Sequence, residues 1–89
     1  MDKNKATNLL KESGHYKIVE IKMKPGEFVD KHIHDWNVDI IILQGSLQIN
    51  YDNNVKVLSS GDRFKLKKNI EHTDYSGVDG VFFLSARPS

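Results

Sequence analysis

Three of the four histidines of this chain fall in two short contexts. His32 and His34 stand one residue apart in P-G-E-F-V-D-K-H-I-H-D-W-N-V-D-I-I-I-L-Q-G, and His72 ends the later run S-G-D-R-F-K-L-K-K-N-I-E-H. Side chains at i and i+2 of a strand share a face, so His32 and His34 can aim two imidazoles at one point. Neutral imidazole is the commonest protein ligand for a transition metal. The chain has no cysteine, so an ion here has only nitrogen and oxygen donors. These residues point to capture of a metal and leave the reaction unnamed.

The elements that must position them read as strands. Residues 1–14 form an N-terminal segment, a short polar helix or a frayed end anchored by Leu9 and Leu10 and stopped by Gly14. From residue 15 to 89 a single domain follows. Val19, Ile21 and Met23 alternate with Glu20, Lys22 and Lys24, the period of a half-buried strand. Pro25-Gly26 turns the chain, and a second strand from Glu27 to Ile33 carries the first histidine. Val38 to Leu43 is nearly continuous apolar, as in a strand buried on both faces. Gln44-Gly45-Ser46 is expected to break it before Leu47, Ile49 and Tyr51 alternate again. Asp52-Asn53-Asn54 reads as a hairpin turn, since Asn and Asp tolerate positive φ. Strands then return over Val55 to Leu58, around Phe64 and Leu66, over Glu71 to Tyr75 and over Val81 to Leu84, with turns at Ser59-Ser60-Gly61 and Ser76-Gly77. Short strands with turns every eight to twelve residues mean an all-β sandwich or barrel.

Composition narrows the classes of function. Thirteen basic and twelve acidic residues give a formal charge of +1, which is no electrostatic footprint for nucleic acid. No apolar run approaches the roughly 18 residues of a membrane helix, and the N-terminus lacks the apolar core of a signal peptide. The expected location is the cytoplasm. A chain of 89 residues buries only roughly 60–65% of the surface its unfolded form exposes. Dimerisation is the natural way to add core, so a homodimer is expected.

At these residues the chain resembles the cupins, small jelly-roll β-barrels. The first cupin motif is glycine, five residues, His-x-His, three or four residues, glutamate, six residues, glycine; here Gly26, His32, His34 and Gly45 are in register. The second is glycine, five residues, Pro-x-Gly, two residues, histidine, three residues, asparagine. Here Gly61 and His72 are in register, Lys67 replaces the proline, Asn69 replaces the glycine, and Ser76 stands at the asparagine. The likeness spans about residues 16 to 85. Its main departure is Val38 at the place of the metal-binding glutamate. Asp39 lies one residue on and would reach an ion there only if a bulge shifted the register.

The resemblance implies one divalent transition metal ion held by His32, His34 and His72, with Asp39 as a possible fourth ligand. Iron, zinc, manganese, nickel and copper all suit such donors. Trp36, Val38, Phe64, Tyr51 and Tyr75 are candidates to line a pocket, and His15, outside both motifs, reads as a surface residue. Resemblance to small cupins implies metal-dependent chemistry of a dioxygenase, isomerase or lyase type on a small polar or anionic molecule. The alternative is a non-catalytic module that binds or senses a small ligand. No catalytic residue stands out; Asp39, Asp35 and Glu71 are near the motifs and nothing more.

Overall fold

The computed structural model describes residues 1–88. Its elements run α1 (Lys3–Glu12), β1 (Lys17–Met23), β2 (Phe28–His32), β3 (Val38–Tyr51), β4 (Asn54–Ser59), β5 (Arg63–Leu66) and β6 (His72–Arg87). The architecture is all-β with a short N-terminal helix. Two long antiparallel strands, β3 and β6, organise it. The first part of β3 pairs with β5 and its last part with β4. β1 pairs with the second half of β6, and β2 with the first half. Two antiparallel layers result, β1-β6-β3-β5 and β2-β6-β3-β4, with β3 and β6 running through both. Met23, Ile40, Ile42 and Phe83 of one layer meet Leu47, Ile49 and Leu58 of the other in a common core.

Two expected breaks are corrected. Gln44-Gly45-Ser46 does not end a strand, and Ser76-Gly77 does not turn the chain; β3 and β6 continue through both. The glycines mark the place where the face changes. Along β3 the residues packed into the common core are Val38, Ile40 and Ile42, then Leu47, Ile49 and Tyr51. The inward positions thus switch from even to odd. The register with β6 slips between Ile42 and Gln44 and again between Gly45 and Leu47. Regular alternation would turn one half of the strand inside out; the bulge keeps both halves facing in. A Cβ on Gly45 (φ 79°) would stand 2.1 Å from the Gly80 carbonyl oxygen, so only glycine allows the backbones to cross this closely.

The outer face of the first layer explains the apolar run of β3. Ile41, Leu43 and Leu84 point away from the core and pack under Ala6 and Leu10 of α1. Asp2 caps that helix by accepting from Asn4 N–H at 2.9 Å, and Gly14 follows its end at φ 94°. A helix of 10 residues is marginal alone, so docking holds it. The hairpin at residues 52–53 is as expected: Asp52 and Asn53 have φ 46° and 62°. No helix among the described residues is long and apolar enough to cross a membrane.

Candidate metal and ligand site

His32 closes β2 and His72 opens β6, and the two are direct cross-strand partners. His34 lies just past β2, on a segment tied to the second-motif turn. Asn69 N–H donates to the His34 carbonyl at 2.8 Å, and Lys68 N–H donates to Asn37 Oδ1 at 2.9 Å. Asn69 takes φ 65°, a left-handed geometry that Asn supports next best after glycine. The departure from the family pattern at position 69 therefore leaves the turn intact.

Ring nitrogens of His32, His34 and His72 lie within 4.8 Å of one another. The ring centroids are 4.1 Å apart for His32 and His72, 5.1 Å for His32 and His34, and 5.2 Å for His34 and His72. His32 Nδ1–H donates to the Asp30 carbonyl at 2.8 Å, and His72 Nδ1–H donates to the Ile70 carbonyl at 2.9 Å. A carbonyl only accepts, so each of these bonds places a proton on Nδ1, and Nε2 is the nitrogen left to serve as a ligand. Backbone acceptors of this kind hold metal-ligating imidazoles in place. Burial, followed by the charges of His32, His72 and Arg87, holds the pKa of His34 below its ordinary value against the pull of Asp35. His34 is thus a neutral donor at pH 7.

The donor set fits a transition metal. Nitrogens at ~2.0–2.1 Å from a common ion stand at most about 4.2 Å apart, so side-chain shifts of less than about 1 Å bring all three onto one centre.

Beside the histidines opens a cavity of about 330 Å³, within the range of small-molecule sites. Its walls are largely apolar, among them Val29, Val38, Ile40, Leu47, Phe64 and Phe83; its polar lining includes His32, His34, His72, Asp74, Ser85 and Arg87. Val38 and Phe64 stand on this wall. Tyr51 packs on Phe64 with centroids 5.6 Å apart and is absent from the cavity wall. Tyr75 is 46% exposed and packs against Phe28 on the outside. Trp36 also stands off the wall and supports it: its ring stacks on His34 at 4.4 Å, and Arg87 lies over it with Cζ 5.3 Å from the centroid.

Asp39 is corrected as a metal ligand. It follows inward-facing Val38 and so points outward, where it is 4% exposed. Arg63 Nε and Nη2 donate to its two oxygens at 2.9 and 2.7 Å, and His15 Nε2 lies 2.8 Å from Oδ2. Burial opposes ionisation of Asp39, but its bonds to Arg63 and His15 outweigh burial and hold the carboxyl below its ordinary range. His15 is likewise no free surface residue.

Two site residues escaped the sequence reading. Asp74 stands two residues after His72, on the same face of β6, with Oδ2 3.5 Å from His32 Nε2. Burial raises its pKa, against the lowering pull of His32 and His72. The i, i+2 relation that singled out His32 and His34 applies equally to His72 and Asp74. Arg87 shares the inward face of Phe83 and Ser85, but the last strand was expected to end at Leu84.

No family model and no curated protein matches this chain. Solved structures do. A cupin-2 domain protein of Shewanella frigidimarina superposes with a TM-score of 0.73 at 21% identity, covering 85% of this chain and 72% of its own. KdgF of a Halomonas species gives 0.63 at 22% identity, covering 81% and 69%. A W96Y oxalate decarboxylase of Bacillus subtilis gives 0.73 at 20% identity, covering 90% of this chain and 22% of its own. The chain has the cupin fold.

Proposed function

We propose that this protein holds one divalent transition metal ion on His32, His34 and His72 and acts with it on a small polar or anionic molecule in the adjoining cavity. The observation that carries this reading is the convergence of three imidazoles, two with Nδ1 tied to carbonyls, at the wall of a cavity. When bound, such an ion supplies Lewis-acid polarisation of a substrate oxygen. The chain's residues do the rest. Three neutral imidazoles leave the ion its full charge, which favours an anionic ligand. Apolar walls exclude water, and Asp74 offers a carboxylate at the histidines for holding or moving a proton. Glu27, the other carboxylate on the wall, accepts from Lys24 N–H at 3.1 Å and belongs to its turn. That an oxalate decarboxylase shares the fold supports the enzymatic reading.

The test is elemental analysis of the purified protein beside His32→Ala and His72→Ala. Near-stoichiometric metal in the parent, lost in both variants, is expected. A parent that takes up no metal after reconstitution with each candidate ion overturns the reading. The second reading, a ligand-binding module without turnover, is favoured by a cavity wall on which, among the described residues, Asp74 is the one carboxylate outside a turn. Loaded protein that binds ligands but converts none would select it. The homodimer is proposed with either reading, and a monomeric mass in sedimentation at micromolar concentration would count against it.

A further inference from the structure

Arg87 enters the cavity wall near the end of β6. Arg87 is only partly buried, but a guanidinium drawn out of water normally has an anionic partner. Among the described residues, Arg87 has no side-chain hydrogen bond and no carboxylate within 4.0 Å. Asp74 and Glu27 share the wall but stand beyond that reach. Partial burial works against its charge, and among the described residues only the face of Trp36 offsets it. The guanidinium is nevertheless held in place, stacked over Trp36, which is stacked in turn on His34. The same stack contains a second donor without an acceptor, the buried Trp36 Nε1–H. Two other cations of this layer have partners: Lys22, also at the cavity wall, lies over Phe82, and Arg63 pairs with Asp39. A held, partly desolvated guanidinium with no carboxylate partner among the described residues, facing a cavity whose walls are largely apolar, has the chemistry of a carboxylate receptor.

We propose that Arg87 anchors the ligand of this cavity, and that the ligand is a small carboxylic acid with an apolar body. The carboxylate lies between the guanidinium and the histidine cluster. The body occupies the space walled by Val29, Ile40, Leu47, Phe64 and Phe83. The proposal rests on the reading of the cavity as a ligand site, and it names the class of molecule that the site takes. Trp36 is a positioning residue, since it acts by holding the guanidinium.

The test is calorimetric titration with benzoate and, as a neutral match of similar shape, benzyl alcohol. Parent, Arg87→Gln, Arg87→Lys and Trp36→Leu proteins are each titrated metal-free and nickel-loaded, with metal content measured separately. The parent is expected to bind benzoate in preference to benzyl alcohol. Arg87→Gln is expected to weaken benzoate by about 10–100-fold, the worth of a hydrogen bond to a charged group, and to leave metal content unchanged. Arg87→Lys should recover part of the loss, and Trp36→Leu should lose less than Arg87→Gln. Benzoate binding equally well to Arg87→Gln and parent overturns the proposal, as does a parent that binds no benzoate in either form. If Arg87→Gln fails to fold, the parent's preference between the two probes decides: no preference for the acid overturns it. Failure of the metal reading shows separately, as absent nickel, while the metal-free titrations still judge Arg87.

Discussion

One layer of this barrel carries two polar clusters on its opposite faces, and they are built on opposite rules. On the outer face Asp39, Arg63 and His15 satisfy one another: two guanidinium bonds and an imidazole meet one carboxylate. Arg63 also donates to Ser13 Oγ at 2.8 Å and so helps tie the end of α1 to the sheet. On the inner face, Arg87 has no carboxylate partner among the described residues, and three imidazoles from the adjoining layer crowd together. The outer cluster is complete and needs only the folded chain. The inner cluster leaves its donors and acceptors open in a chamber large enough for a ligand. Polar residues matched within the fold are there for the fold; polar residues held unmatched by it are there for something else.

Breaking the inner cluster should have the largest effect. At about 100 times its dissociation constant, an added metal ion stabilises the parent by roughly 2.7 kcal/mol, a rise in Tm of about 10 °C or more for a domain of this size. Differential scanning calorimetry should register that rise in the parent and none in His72→Ala. A His72→Ala protein that gains the same rise would remove the distinction between the two faces.

Breaking the outer cluster should come next and reverse the pattern. Asp39→Ala leaves Arg63 without its carboxylate. Because the Arg63 side chain is still 27% exposed, the cost should be about 2–3 kcal/mol, below the 3–5 kcal/mol of a wholly buried pair. Denaturant unfolding would measure it, and metal uptake should be unchanged. Loss of metal from Asp39→Ala would mean that the two faces are coupled.

Acid should separate the clusters more gently. The folded pKa of His34 is depressed, so the unfolded chain binds the extra proton more readily. The stability it contributes is full above its ordinary value of 6.5 and fades as pH falls through the folded value. The folded pKa of Asp39 is also depressed, and its contribution fades only below its ordinary 3.8. Stability of the metal-free protein followed from pH 7 downwards should decline in two stages, the first one missing in His34→Gln. A parent curve without that first stage would place the proton elsewhere. Smallest of all is Lys3→Ala. The Lys3–Glu20 pair is matched at 3.4 Å but half exposed, and its loss should move stability by less than about 0.5 kcal/mol. A larger shift would show that exposed pairs also hold α1 down.

Much of this was legible in the chain, for reasons that can be named. His32, His34 and His72 were found because ligand type and spacing are local signals, and the apolar run of β3 because burial on both faces leaves no polar alternation. The Gly45 bulge was visible as a glycine and misread as a strand end. A turn and a bulge both need positive φ; only the long-range pairing of β3 with β6 tells them apart. Asp39 was drawn toward the site by proximity to an empty family position, although strand parity already placed it outside. Its partners, His15 and Arg63, lie 24 residues away on either side, and no short pattern brings them together. Arg87 was missed because Ala86-Arg87-Pro88 gives no sign that the strand continues.

One thinly anchored strand has a consequence in time as well as in space. β2 is an edge strand with one neighbour, paired with β6 at Phe28, Val29 and His32 around an irregular register. Edge segments with so few partners open locally long before the whole molecule unfolds. Since His32 sits in that last pairing, fraying of β2 and disassembly of the triad are one event. The residence time of anything bound there is then bounded by the opening rate of a five-residue strand, and hydrogen exchange at the β2 amides is the clock that reads it.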